Sequence, residues 1–118
     1  MTQGLARSVF TGLLLVSLMM FLLPADDLTS SAPNDKVTHL LTFAVLALSG
    51  RWAGVPTLPL LGGLTAYAAA TEVLQAVLPI NRHGDLRDLA ADLAGVLAGL
   101  AVSWAVARWR SRPGSGQD

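Results

Sequence analysis

Four long apolar runs separated by turn-forming residues make up most of the chain: roughly Ser8 to Leu23, Val37 to Trp52, Leu58 to Leu78 and Leu89 to Trp109. A helix that crosses a bilayer needs about 20 mostly apolar residues, and each run approaches that length. Helix breakers place the ends. Pro24 closes the first run, Pro33 and Asn34 precede the second, Pro56 and Pro59 open the third, Pro79 ends it, and Asn81-Arg82-His83-Gly84 reads as a turn. The pattern predicts helices over about 6–23, 36–53, 57–78 and 86–109, packed as an all-α, four-helix bundle in the membrane. That is one domain over 1–111, followed by a disordered tail over 112–118 with Pro, Gly and Ser.

Composition agrees with the pattern. Of 118 residues, 53% are hydrophobic and 14% charged, whereas about a quarter of residues are charged in soluble domains. Eight basic and eight acidic residues cancel, so the net charge suggests neither nucleic-acid binding nor strong attachment to anionic lipid. No cysteine is present, which excludes disulfides, thiolate metal sites and a cysteine nucleophile. Arg7 before an apolar run, followed by Pro24-Ala25, resembles a secretory signal, yet Leu23 occupies a place where cleavage favours small residues. A retained first helix is the preferred reading, and either fate delivers the following loop to the outer side.

Arg7, Arg51, Arg108, Arg110 and Arg112 fall on one side of the predicted helices, and the Asp- and Ser-rich loop from Pro24 to Asp35 on the other. Because cytoplasmic loops are enriched in Lys and Arg, both chain ends are expected in the cytoplasm, in a multi-pass protein of the inner (plasma) membrane. Trp52 and Trp109 then close the second and fourth helices at the cytoplasmic headgroup level. Arg82 and Arg87 in the second outer loop run against this rule.

Three polar motifs break the apolar background: Asp35-Lys36-x-x-His39, Glu72-x-x-Gln75 and Arg82-x-x-Asp85-x-x-Asp88-x-x-x-Asp92. Ionisable groups within membrane segments are rare and expensive, and mark candidate functional sites. The predicted topology brings all three motifs to the outer face. Spacings of three and four residues place each set on one side of its helix. On the fourth helix, Asp85, Asp88, Asp92, Gly95, Gly99 and Ser103 form one stripe, in which Gly95 and Gly99 make a small-x-x-x-small packing pair. Glu72, seven residues before Pro79, is expected roughly 10 Å below the helix end, and Asp92 at a similar depth. Such acids require donors, and Lys36, His39, Gln75 and Arg82 are available.

Blander roles compete for the same residues. Asp85 reads most simply as the N-cap of the fourth helix with Asp88 its third-position companion, although capping does not explain Asp92. Asp35 also fits a helix cap, Lys36 a side chain snorkelling to the headgroups, and His39 a satisfied packing histidine. A structural ion pair is a competing reading for Glu72 or Asp92, and protonation to a neutral acid is a further one. Phe43, Tyr67 and Trp104 read as filler between helices. With one histidine in a spanning segment, no metal and no cofactor are expected.

In order and spacing these residues resemble the VanZ-like membrane proteins, a family named for an accessory protein of glycopeptide (teicoplanin) resistance. The likeness runs from about Asp35 to Gly99. It rests on Asp35, Lys36, His39 and Phe43, then Glu72 and Gln75, then Arg82, Asp85, Asp88, Gly95 and Gly99. Asp92 stands where the family usually carries Asn. The resemblance implies a small multispanning protein associated with antibiotic resistance.

Three functions are compatible with these readings. The preferred one is an outward polar pocket of Asp35, Lys36, His39, Glu72, Gln75, Arg82, Asp85, Asp88 and Asp92 that recognises a cell-envelope ligand, such as a lipid-linked precursor, a glycopeptide or a phospholipid. The second is a membrane-embedded enzyme with Glu72 or Asp92 as base, His39 as acid or base, and Arg82 stabilising negative charge; no diagnostic nucleophile supports it. The third is a scaffold whose polar cluster locks the helices together.

Overall fold

A computed structural model describes residues 2–23, 34–80 and 85–111. All regular structure among them is helical: α1 (Gln3–Leu22), α2 (Asn34–Trp52), α3 (Thr57–Val77) and α4 (Leu86–Arg110). Three helices, α1, α3 and α4, are long and apolar enough to cross a membrane. α2 does not reach that measure, as Asp35, Lys36, His39 and Arg51 dilute its 19 residues. Large apolar side chains cover the outside, among them Leu15, Val16, Leu58, Val73, Leu86 and Leu97, a surface suited to a lipid environment.

Local chemistry sets the helix ends. Thr2 caps α1, its Oγ1 accepting from Leu5 N–H at 3.1 Å, so the helix starts about three residues earlier than the apolar pattern predicts. α2 ends in a Schellman turn: Val55 N–H donates to Gly50 O and Gly54 N–H to Arg51 O, both at 3.0 Å. Gly54 takes φ +90° there, a conformation that favours glycine. Arg51 Nη1 donates to Val55 O at 2.7 Å and secures the turn. Pro56 is the N-cap of α3 and Leu78 its C-cap, with Pro79 immediately beyond.

Contacts between helices give their directions. Gly95 abuts Leu40 and Ala44, and Gly99 abuts Ala44 and Ala47, so α2 and α4 run parallel with a constant offset. A Cβ at Gly95 would collide with the Leu40 carbonyl oxygen, and one at Gly99 would lie 2.8 Å from Ala47 Cβ besides striking Ala44 O. The glycines therefore let two backbones touch. α1 runs antiparallel to α2, since Gln3 Nε2 donates to Ala53 O while Phe21 stacks on Phe43 near the other end. Ser17 Oγ and Tyr67 OH, 2.6 Å apart, tie α1 to α3. Phe21, Phe43, Leu46, Leu60, Leu64, Ala68 and Val96 form the buried core. Trp104 is not filler between helices: it is 63% exposed, with the Arg108 guanidinium 5.0 Å over its ring.

Candidate functional site

This arrangement brings the last turns of α1 and α3 together with the first turns of α2 and α4, where the described polar side chains gather. Asp85 is the N-cap of α4, its Oδ1 accepting from Arg87 N–H at 2.8 Å. That bond, followed by the one from Lys36, holds its carboxyl below the ordinary value. The N–H of Asp85 itself donates to Glu72 Oε2 at 2.8 Å. In a capping box this bond comes from the acid three residues along the same helix. Here an acid on α3 supplies it, leaving Asp88 for another task.

Asp88 lies in the first turn of α4, as its capping position suggests, and its carboxylate also engages α2. Its Oδ1 lies 2.5 Å from Lys36 Nζ, and Asp85 Oδ2 lies 3.2 Å from the same ammonium. Lys36 is 40% exposed at its side chain whereas Asp88 is buried, so the lysine bridges the rim and the interior. One turn deeper, His39 Nδ1–H donates to Asp92 Oδ1 at 2.6 Å, and His39 Nε2 lies 3.8 Å from Asp88 Oδ2. Asp92 is wholly buried.

Two α1 contacts complete the site. The Phe21 ring stacks on His39 with centroids 4.9 Å apart, and Gln75 Nε2 donates to Phe21 O at 3.0 Å. No sequence signal marked Phe21, which is one apolar residue among many in its run. The Oε1 atoms of Glu72 and Gln75 are buried without a hydrogen-bond partner among the described residues. Such atoms carry an unmet desolvation cost in an apolar setting.

Of the residues singled out by sequence, Lys36, His39, Glu72, Asp85, Asp88 and Asp92 thus form one contiguous cluster, with Gln75 joined through Phe21. Gly95 and Gly99 lie beneath it on the face of α4 that meets α2. Asp35 falls in the first turn of α2, but its side chain lies outside the described residues, as does the whole of Arg82. Glu72 lies five residues before the end of α3, roughly 8 Å along the helix axis. α3 ends at Val77, and the buried Glu72 carboxylate reaches from α3 to the cap of α4. Asp92 is the deep acid.

Sequence reading also missed that His39, Glu72 and Asp92, on three helices, place potential ligand atoms within 4.8 Å of one another. An apolar groove of 290 Å³ between α1 and α2, lined by Leu13, Val16, Met20, Leu41 and Val45, includes none of these groups. No family model, curated protein or solved structure matches the chain.

Proposed function

We propose that the chain is a VanZ-like protein of the plasma membrane, a bundle of four spanning helices with both termini cytoplasmic, whose polar end faces outward and recognises the polar head of a cell-envelope ligand. Lipid-linked or glycopeptide-like molecules are the preferred class, with a role in glycopeptide resistance. The observation that carries this reading is the double engagement of Asp85, by Lys36 from α2 and by Glu72 from α3. It joins three motifs distant in sequence. A cluster that only held helices together has no need of a half-exposed lysine, whereas a receptor needs a rim in contact with solvent. α2 is tolerable as a span because His39 is buried against protein. Orientation follows from Arg7, Arg51, Arg108 and Arg110 at the opposite end.

In this reading Lys36 and Arg82 pair with acidic groups of the ligand, and the carboxylates and Gln75 orient its hydroxyl, amide or amine groups. Glu72→Gln, Arg82→Ala and Asp92→Asn are expected to abolish resistance or ligand protection while the protein still accumulates in membranes. Unchanged protection in all three variants contradicts the reading. The sidedness is tested by single cysteines at Ser30 and His83, which are expected to react with an impermeant maleimide from outside intact cells; reaction from the cytoplasmic side alone overturns it.

The hydrogen bond from His39 to Asp92 favours a second reading, a membrane-embedded enzyme in which the carboxylate orients the imidazole for proton transfer. It requires purified protein to turn over a lipid or cell-wall substrate, and His39→Ala to slow that step.

A further inference from the structure

The described cluster is unbalanced in charge. Glu72, Asp88 and Asp92 are three buried carboxylates, against which the described residues set Lys36 and, when protonated, His39; Asp85 is half-exposed and shares Lys36 and Arg87. One negative charge remains among the described residues. Buried charge of one sign is costly in a low-dielectric interior, and a bound cation relieves it.

The buried part of the cluster has the composition of a cation site. His39, Glu72 and Asp92 are all buried, and one ligand atom from each lies within a 4.8 Å span. Glu72 supplies an independent sign of a missing partner: it is 8% exposed, its Oε2 is committed to the Asp85 N–H, and its Oε1 has no hydrogen-bond partner among the described residues. From these observations we propose that His39, Glu72 and Asp92 bind a divalent transition-metal cation of the zinc type.

The donor set fits that class. Imidazole nitrogen suits zinc and its neighbours, whereas calcium and magnesium prefer sites made wholly of oxygen. Bond lengths of about 2.0–2.2 Å put tetrahedral zinc ligands about 3.3 Å apart. The side chains therefore need to close by at most about 1.5 Å. His39 and Asp92, already 2.6 Å apart, must separate slightly as the cation takes the place of the proton between them. Three protein ligands leave a coordination position for water or for an oxygen of a ligand head. In this way an acid-rich pocket acquires a positive centre. The inference rests on the ligand-binding reading of the same pocket and adds a resident ion to it.

The test uses the full-length protein in detergent with Zn²⁺ alone, counting metal after gel filtration, and repeats the titration with Co²⁺ to read the ligand field from its visible spectrum. Wild type is expected to retain one ion per chain. Glu72→Gln, which keeps the side-chain shape, is expected to weaken retention by about 10-fold or more. His39→Ala and Asp92→Asn are expected to remove it, and Arg108→Ala at the far end to leave it intact. Failure of folded wild type to retain zinc overturns the proposal, as does retention unaffected by Glu72→Gln. These readouts do not involve the envelope ligand. If zinc is not held but the variants still lose ligand protection, the cation inference alone falls; if zinc is held and protection is unchanged, the head-recognition reading alone falls.

Discussion

Asp92→Ala is expected to destabilise the protein by about 3–5 kcal/mol, the range for removing one partner of a buried charged pair. Asp92 is fully buried and receives the short hydrogen bond from His39 Nδ1, which the alanine variant removes. The imidazole, stacked on Phe21, has no solvent to turn to. Asp92→Asn is expected to cost far less, about 1 kcal/mol, because the amide oxygen still accepts from Nδ1–H. Thermal unfolding in detergent measures both. A negligible cost for alanine would remove the pair from the account, and equal costs for alanine and asparagine would show that charge, not hydrogen bonding, holds it. The asparagine variant also carries the side chain usual in the VanZ-like family that the sequence resembles, so its stability and its ligand response report separately on structure and on function.

Gly95→Leu is expected to be at least as damaging. Even the first side-chain carbon meets the carbonyl oxygen of Leu40 and approaches Ala44 N at 3.1 Å, and backbone cannot rotate out of the way as a side chain does. Overpacking costs about 1–3 kcal/mol when side chains can shift, and a backbone collision belongs at or above the top of that range. Separating α2 from α4 would also pull Lys36 and His39 away from Asp88 and Asp92, so folded yield and ligand response should fall together. Gly62 and Gly63 on α3 are the internal comparison. Nothing lies within 4 Å of a Cβ at either, and alanine there is expected to stabilise the helix by up to about 1 kcal/mol. If Gly95→Leu melts like wild type, the close α2–α4 contact is wrong.

Much of the helical layout was readable because it depends on local signals. Apolar runs, prolines and the Asp85 cap mark where each helix starts or stops, within two or three residues of the described ends. The polar motifs were equally visible, since acids stand out in an apolar chain. Their pairing was not. Whether Lys36 meets Asp88 or Asp92 depends on how far α2 slides along α4, and that offset is set where Gly95 and Gly99 meet Leu40, Ala44 and Ala47. Spacing along one helix carries no information about it. The same limit hid the bond from the Asp85 N–H to Glu72 and the gathering of His39, Glu72 and Asp92, each of which crosses between helices. Trp104 was misplaced for a related reason: an aromatic residue in a spanning helix suits either lipid or a neighbouring helix, and the stripe that faces α2 passes through Gly95 and Gly99 instead.

The most direct measurement is zero-length coupling of amine to carboxylate with a membrane-impermeant carbodiimide, added to intact spheroplasts and read by mass spectrometry. With Lys36 Nζ 2.5 Å from Asp88 and 3.2 Å from Asp85, the account predicts an intramolecular amide from Lys36 to one of these two acids, formed from the outside. No such link, or a link formed only when the reagent reaches the cytoplasmic face, would contradict it.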